Sequence, residues 1–162
     1  MLTNEEIARY ERDGYVIPAA FQLDRGELDE VRAALERVLD DNPEILPDRL
    51  INVHLNGGNP YGIKGHRRFR ELAMDGRILD MVEMLIGPDL VLLFGQLFCK
   101  PAQSARVVPW HQDGEYWPIR PMATTRIWVA LDETSRENGC LRYVRGSHKR
   151  KEIRQHHEAE NR

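Results

Sequence analysis

The sequence carries one short pattern with clear chemical content, a His-x-Asp triplet formed by His111 and Asp113. On an extended segment, residues two apart point to the same face, so this imidazole and this carboxylate would converge on one point. One His and one carboxylate are two of the three ligands of the facial triad that holds Fe(II) and leaves coordination positions open. The triplet alone is a weak signal, so the residues around it decide its interpretation.

The blocks around the triplet are more specific than the triplet itself. It lies in WHQDGEYWPIRP, and the block NGCLRYVRGSHK follows downstream. Together with the opening segment LTNEEIARYERDGYVIP, these blocks resemble the phytanoyl-CoA dioxygenase family of Fe(II)- and 2-oxoglutarate-dependent oxygenases over nearly the whole chain. The resemblance implies an enzyme that hydroxylates a small-molecule substrate with dioxygen and releases succinate and CO2. Fe(II) is the implied cofactor and 2-oxoglutarate the implied cosubstrate.

The resemblance also implies functions for individual residues. His111 and Asp113 match the first two iron ligands, and no catalytic residue is expected beyond this metal site. Gln96 and Trp128 match positions that contact 2-oxoglutarate, and Asn52 falls near an upstream position of the same kind. These three are the predicted cofactor-binding residues.

Two of these predictions have simpler alternatives. Gln96 shares one face of an extended segment with Phe94 and Phe98, and a buried amide there needs a partner, which a bound carboxylate would supply. The alternative is that this face lies at a solvated edge. Tyr116 and Trp117 are the predicted substrate-binding residues, and the alternative is aromatic packing on a Pro-rich loop.

The family completes its iron site with a later His and an Arg beyond it, and the chain has no plausible match for either. His148 is expected to tie a turn by hydrogen bonds, and His156 and His157 lie in a charged tail without a strand pattern. The alternative function is therefore a catalytically inactive remnant, truncated at the C-terminus, without the third ligand and the anchoring Arg. A weaker alternative is an assembly in which another chain donates the absent strands and His.

The length of the C-terminal part leads to the same expectation. A jelly roll needs about eight strands of roughly 8–12 residues each with its turn, on the order of 80 residues. Residues 90–146 number 57. We expect an α+β chain with N-terminal helices packed outside a double-stranded β-helix, the cupin-like jelly roll, whose C-terminal strands are missing. Open sheet edges of that kind would promote self-association.

Hydrophobic periodicity and capping patterns predict the elements that position these residues. Capping boxes begin a short helix at Thr3 and a longer one at Asp24, and a third helix covers residues 69–86. Strands are predicted at residues 50–55, 90–100, 124–131 and 140–145. The chain is predicted to be one incomplete domain, with a mainly helical part at 1–89, the first jelly-roll strands at 90–147 and a charged tail at 148–162.

Composition excludes several other classes of protein. The chain of 162 residues has 23 Lys and Arg against 26 Asp and Glu and a net charge of -3, whereas nucleic-acid partners require a basic balance. No apolar run has the length of a membrane span, and no secretory signal begins the chain. Two cysteines without such a signal are expected to stay reduced. We expect a soluble cytoplasmic protein with neither nucleic acid nor membrane as a partner.

Overall fold

Two helices with well-formed N-terminal caps begin the chain. In the computed structural model, which describes residues 1–102, 107–117, 119 and 123–155, α1 spans Asn4–Asp13 and α2 spans Arg25–Asp41. Both predicted capping boxes are present, with the side chains of Thr3 and Asp24 accepting backbone hydrogen bonds. α1 ends at Gly14, whose φ of 85° is a left-handed conformation that favours glycine.

The third predicted helix is in fact two helices. α3 spans Arg67–Ala73 and α4 spans Gly76–Ile86. The break falls at Asp75, whose carboxylate accepts a hydrogen bond from the backbone N–H of Arg77 at 2.8 Å and caps α4. The prediction of one helix over residues 69–86 is therefore wrong. An Asp followed by Gly favours a new helix N-terminus over continuation of the previous helix.

The other regular elements are short, and the core lies mainly between α2 and α3. A 3₁₀ turn covers Pro47–Arg49, α5 covers Asp113–Tyr116, and a second 3₁₀ turn covers Ser147–Arg150. The main buried cluster consists of Val31, Ala34, Val38, Leu50, Val53, Ile63, Phe69 and Leu97. A smaller cluster joins the N-terminus to α4 and consists of Leu2, Ile78, Met81 and Val82.

The described residues form no regular strand at the positions where strands are predicted. One antiparallel bridge joins Ile51 to Gln96. It is flanked by a hydrogen bond from the Asn52 N–H to the Gly95 carbonyl at 2.6 Å, and a bond of 2.9 Å ties Leu97 to residue 50. The strand predictions are thus wrong for this structure, which does not confirm the jelly roll.

The reason for this difference is the shortage of pairing partners. A strand is stabilised by neighbours across the sheet, and β-forming residues alone do not supply that stabilisation. Side chains that a sheet partner or a second layer would cover therefore lie in solvent: Val91 is 89% exposed, and Leu93, Phe98 and Val144 are also exposed. The β-type sequence pattern is present in residues 90–100 and 140–145, but among the described residues its cross-strand contacts are limited to the pairing of residues 95–97 with residues 50–52.

The C-terminal part of the described chain is fastened to the end of α1. Arg145 Nε donates to the Asp13 carboxylate at 2.7 Å, and the Gly146 N–H donates to the Asp13 carbonyl at 2.8 Å. His148 Nε2 donates to the carbonyl of Glu11 at 3.0 Å. These bonds join the opening block of the sequence to its GSHK block. The hydrogen-bonding function predicted for His148 is confirmed, although the bond ties a helix end and not a turn.

Asp13 is the charged centre of this fastening. Its side chain is only 7% exposed and receives hydrogen bonds from Arg12 as well as from Arg145. The bonds from Arg12 hold the pKa of the Asp13 carboxyl well below its usual range; burial opposes this, and Arg145 adds to the lowering. The neighbouring rings of Tyr15 and Tyr143 stack with centroids 5.7 Å apart. The N-terminal helix therefore holds the segment that follows the candidate site.

Candidate metal centre

The local backbone brings the two predicted ligands together. Gln112 is extended, with φ of -122° and ψ of 122°, and α5 begins at the next residue. The side chains of His111 and Asp113 therefore lie on the same side of Gln112, with Nε2 3.3 Å from Oδ1. Each is about one third exposed, at 29% and 31%. The pair sits at a loop-to-helix junction, whereas the sequence argument assumed a strand.

A backbone carbonyl orients the ring of His111. Its Nδ1 lies 2.8 Å from the carbonyl oxygen of Pro109. A carbonyl can only accept a hydrogen bond, so Nδ1 is the donor in this contact, and Nε2 is the ring nitrogen left for a metal ion. Nε2 is the atom that faces Asp113. Metal-binding His residues commonly use this arrangement, in which one ring nitrogen donates to the protein while the other binds the metal.

The spacing of the two atoms also fits a shared metal ion. With bonds of about 2.1 Å, ligands at adjacent corners of an octahedron lie roughly 3 Å apart. The observed 3.3 Å between Nε2 and Oδ1 is close to this value. His111 and Asp113 therefore fit two neighbouring positions of an Fe(II) site.

The described residues supply no third ligand of the expected type. Within the part of the chain that the structure describes, no group of three or more His, Cys, Asp and Glu side chains is placed to hold a metal ion. His156 and His157 lie outside the described residues. Among the described residues, the candidate metal ligands are thus one imidazole and one carboxylate.

Arg126 is a site residue that the sequence argument missed. Its Nη2 lies 2.8 Å from Oδ2 of Asp113, the carboxylate oxygen that does not face His111. The same guanidinium lies over the ring of Trp117, with Cζ 5.8 Å from the centroid. By occupying Oδ2, Arg126 leaves Oδ1 to face Nε2. Arg126 and Trp128 are two apart on an extended pattern, so the predicted position of Trp128 could have pointed to it.

The two predicted substrate-binding residues have different surroundings. The Trp117 ring meets Phe94 edge to face, with centroids 5.0 Å apart and planes at 87°. The Tyr116 ring lies beside the imidazole of His111, with centroids 6.1 Å apart, and Tyr116 is 60% exposed. Trp117 thus has the packing contacts of the simpler alternative. Tyr116 lies next to the ligand pair and presents much of its surface to solvent.

Gln96 and Asn52 are brought together by backbone pairing. Gln96 forms the bridge with Ile51, and both line a depression of about 600 Å³ whose wall also contains Tyr61 and Ile63. Asn52 has a left-handed φ of 54°, and its Oδ1 is buried without a hydrogen-bond partner. An acceptor atom there calls for a donor, so a carboxylate would fit only if the amide were rotated to present Nδ2.

The remaining prediction, Trp128, is not joined to the others. It is 41% exposed, and among the residues that the structure describes it makes no ring contact with another predicted site residue. Tyr143 lies near the ligand pair instead. Burial raises the pKa of the Tyr143 hydroxyl; the charge of Arg126 opposes this, and the charge of Asp113 adds to it. Tyr143 is a second nearby residue that the sequence argument did not identify.

Comparisons with known proteins agree with the motif analysis. The family model described as Phytanoyl-CoA dioxygenase (PhyH) matches residues 10–162. Phytanoyl-CoA dioxygenase, peroxisomal, from Homo sapiens is 38% identical over 76 residues, which cover 44% of this chain and 22% of that protein. Ectoine dioxygenase from Streptomyces avermitilis is 27% identical over 157 residues, covering 91% of this chain and 52% of that enzyme.

A third relative also matches most of this chain. The phytanoyl-CoA dioxygenase domain-containing protein 1 homolog of Dictyostelium discoideum is 24% identical over 185 residues, covering 91% of this chain and 66% of that protein. The chain thus spans less than two thirds of the length of each of these three relatives. No solved structure matches the chain. None of the helices in the described residues is long and apolar enough to cross a membrane.

Proposed function

Because the chain belongs to the phytanoyl-CoA dioxygenase family, we propose that it functions as an Fe(II)- and 2-oxoglutarate-dependent dioxygenase with His111 and Asp113 as two iron ligands. The observation that carries the proposal is the 3.3 Å approach of His111 Nε2 to Asp113 Oδ1, with Nδ1 held by the Pro109 carbonyl. An imidazole nitrogen and a carboxylate oxygen are two of the ligands of the facial triad, and a carbonyl on the other ring nitrogen is common among metal-binding His residues. The dioxygenases among the relatives support the reaction class.

The chemistry divides between the bound groups and the chain. Fe(II), when bound with 2-oxoglutarate, would activate dioxygen, so that one oxygen atom enters a C–H bond of the substrate and the other enters the succinate that forms, with CO2, from 2-oxoglutarate. His111 would bind the metal through Nε2, because its other ring nitrogen donates to the Pro109 carbonyl. Arg126 holds Oδ2 of Asp113, so Oδ1 is turned toward His111.

Other residues would orient the cosubstrate and substrate. The amide of Gln96 offers two N–H donors to a carboxylate of 2-oxoglutarate, and Asn52 lies on the segment paired with it. Trp128 is retained as a predicted contact on the strength of the resemblance alone. Tyr116, exposed and next to His111, would contact a small-molecule substrate. Trp117 is retained as a predicted substrate contact, although its ring packs on Phe94.

Anaerobic titration of the chain with Fe(II) and 2-oxoglutarate tests the proposal. We expect a visible metal-to-ligand charge-transfer band, followed by succinate formation when dioxygen is admitted. His111→Ala and Asp113→Ala should lose both signals, whereas Asp89→Ala, which removes an exposed carboxylate from another loop, should keep them. A band of unchanged intensity in both ligand variants would show that the metal binds elsewhere.

A second candidate function follows from the donor set. Only two ligands are found among the described residues, and loss of one of three ligands lowers both metal affinity and orientation. In this candidate, the 162 residues bind Fe(II) weakly and turn over little 2-oxoglutarate. A weak charge-transfer band without succinate would favour it. Robust turnover that His156→Ala abolishes would contradict it, because residue 156 would then be the third ligand.

Cytoplasmic location and self-association stay predictions that accompany the proposed function. Cys99 and Cys140 are both free thiols, as expected in a reducing compartment. Exposed apolar side chains such as Val91 and Leu93 support self-association. Sedimentation velocity over a range of protein concentrations would measure it, and a single monomeric species at high concentration would contradict it.

A further inference from the structure

The side chain between the two ligands is itself bound at both of its polar atoms. Gln112 Nε2 donates to the carbonyl of Glu152 at 2.9 Å, and its Oε1 accepts from the backbone N–H of Arg154 at 2.8 Å. A carbonyl and an N–H two residues apart point to the same side of an extended segment, where a neighbouring strand would bond to them. The Gln112 amide thus takes the place of a peptide group beside residues 152–154.

The two hydrogen bonds join Gln112 to residues that lie 40 and 42 positions later in the sequence. Residues 151–155 have irregular backbone and are exposed. The Lys151 N–H donates to the carbonyl of His148 at 3.4 Å, and the bonds to Gln112 hold the backbone of residues 152–154. Lys151 directs the chain there, because its left-handed φ of 51° ends the 3₁₀ turn Ser147–Arg150. His148, within this 3₁₀ turn, donates a hydrogen bond to α1.

The same peptide units carry the ligands and the bound amide. His111 and Asp113 are the immediate neighbours of Gln112, and the extended backbone of Gln112 sets their common direction. Rotation of the His111–Asp113 segment would therefore pull the amide away from Glu152 and Arg154. Holding residues 152–154 in place restrains this rotation, and by thermodynamic reciprocity a metal ion that restrains the ligands holds residues 152–154 more firmly.

We propose that Gln112 is a positioning residue that fastens residues 151–155 beside the ligand pair and thereby restricts the movement of His111 and Asp113 before a metal ion binds. The fastening itself consists of the hydrogen bonds of Gln112 to Glu152 and Arg154 and needs no metal ion. Its effect on metal affinity rests on the proposed function, in which His111 and Asp113 bind Fe(II). The two halves are therefore tested by separate measurements.

Limited digestion with trypsin, without added metal, tests the fastening. Cleavage after Arg154 requires the segment to leave Gln112, and its rate follows the population of that open form. Gln112→Ala removes both hydrogen bonds and should speed this cleavage by at least about fivefold. Gln112→Glu, which keeps the size but sets a carboxylate oxygen against the Glu152 carbonyl, should behave in the same way.

Controls in the same digest separate local release from unfolding. Cleavage after Lys64, whose backbone is bonded to the buried Asn42 next to α2, reports global opening and should be unchanged in both variants. Gln22→Ala removes an exposed amide from another segment and should leave cleavage after Arg154 at the wild-type rate. Equal cleavage after Arg154 in the wild type and in both Gln112 variants would overturn the fastening.

Titration with Co(II), a redox-stable probe with visible absorption in protein sites, tests the metal half. We expect Gln112→Ala to raise the dissociation constant for Co(II) about three- to tenfold, and saturating Co(II) to slow wild-type cleavage after Arg154 but not that of the variant. Equal dissociation constants would overturn the coupling. If the wild type binds no Co(II), the proposed function fails together with the coupling, while the metal-free digest still decides the fastening.

Discussion

The contact between Phe94 and Trp117 gives a quantitative test of how the candidate site is built. The perturbation is a double-mutant cycle with Phe94→Leu, Trp117→Leu and the double variant. If Trp117 packs, as the edge-to-face geometry indicates, the two substitutions should be coupled in the free energy of unfolding. If Trp117 instead faced a substrate and did not contact Phe94, the effects of the two substitutions on the free energy of unfolding would be additive.

The geometry sets the expected size of the coupling. The centroids are 5.0 Å apart and the planes are at 87°, and such aromatic pairs contribute about 0.5–1.5 kcal/mol beyond the burial of their surface. The guanidinium of Arg126 at 5.8 Å from the same Trp117 ring adds about 0.5–1 kcal/mol when partly exposed. We therefore expect a Phe94–Trp117 coupling of about 1 kcal/mol, and a larger loss for Trp117→Leu alone because that change also removes the contact with Arg126.

Urea denaturation of the four chains, followed by far-UV circular dichroism, measures the coupling without relying on the fluorescence of the substituted Trp. Trp110 supplies a matched control, because it lies under the guanidinium of Arg142 at 5.2 Å. A cycle of Phe94→Leu with Trp110→Leu should be additive to within about 0.5 kcal/mol. A Phe94–Trp117 coupling no larger than that of the control would refute the packing of Trp117 on Phe94.

The fastening at the end of α1 gives two further predictions. The pKa of Asp13 is lowered in the folded chain, so its carboxylate stabilises the fold above its usual pKa of about 3.9, and this stabilisation declines as the pH falls. The free energy of unfolding, measured by urea denaturation between about pH 5 and 2, should therefore depend less on pH in Asp13→Asn than in the wild type. Parallel pH curves for the two proteins would contradict this. Gly14→Ala should lower the free energy of unfolding by on the order of 1–2 kcal/mol, because φ is 85° and the new Cβ would lie 2.5 Å from Nδ1 of His148. Adding His148→Ala to this variant should recover part of the lost stability at the same pH. An unchanged stability in Gly14→Ala would contradict the steric argument.

Sequence patterns succeeded where the structural signal is local. The capping boxes at Thr3 and Asp24 each depend on residues three apart, and both are present in the structure. The prediction of a single helix over residues 69–86 failed at Asp75, because the hydrophobic periodicity continues across the break at which the Asp75 side chain caps α4. The strand predictions failed as well, because residues 90–100 have the composition of a strand but pair with only one short segment at residue 51.

The candidate site shows the same division. Residue type and spacing identified His111 and Asp113 as candidate ligands, and the structure brings their side chains together. Arg126 was missed because its partner, Asp113, lies on a different segment, and the spacing to Trp128 shows that the two residues share a face but not which carboxylate Arg126 binds. Trp117 had two readings in sequence, and its contact with Phe94 favours packing.

The sequence by itself determined the family, the candidate ligand pair and the starts of the first two helices. Each of these depends on residues that are close together along the chain, where spacing and side-chain chemistry restrict the geometry. The tertiary structure alone decided which carbonyl orients His111, which cation holds Asp113 and which segment Gln112 fastens. A residue's type shows what it can bind, but the partner it finds depends on which distant segments fold against it.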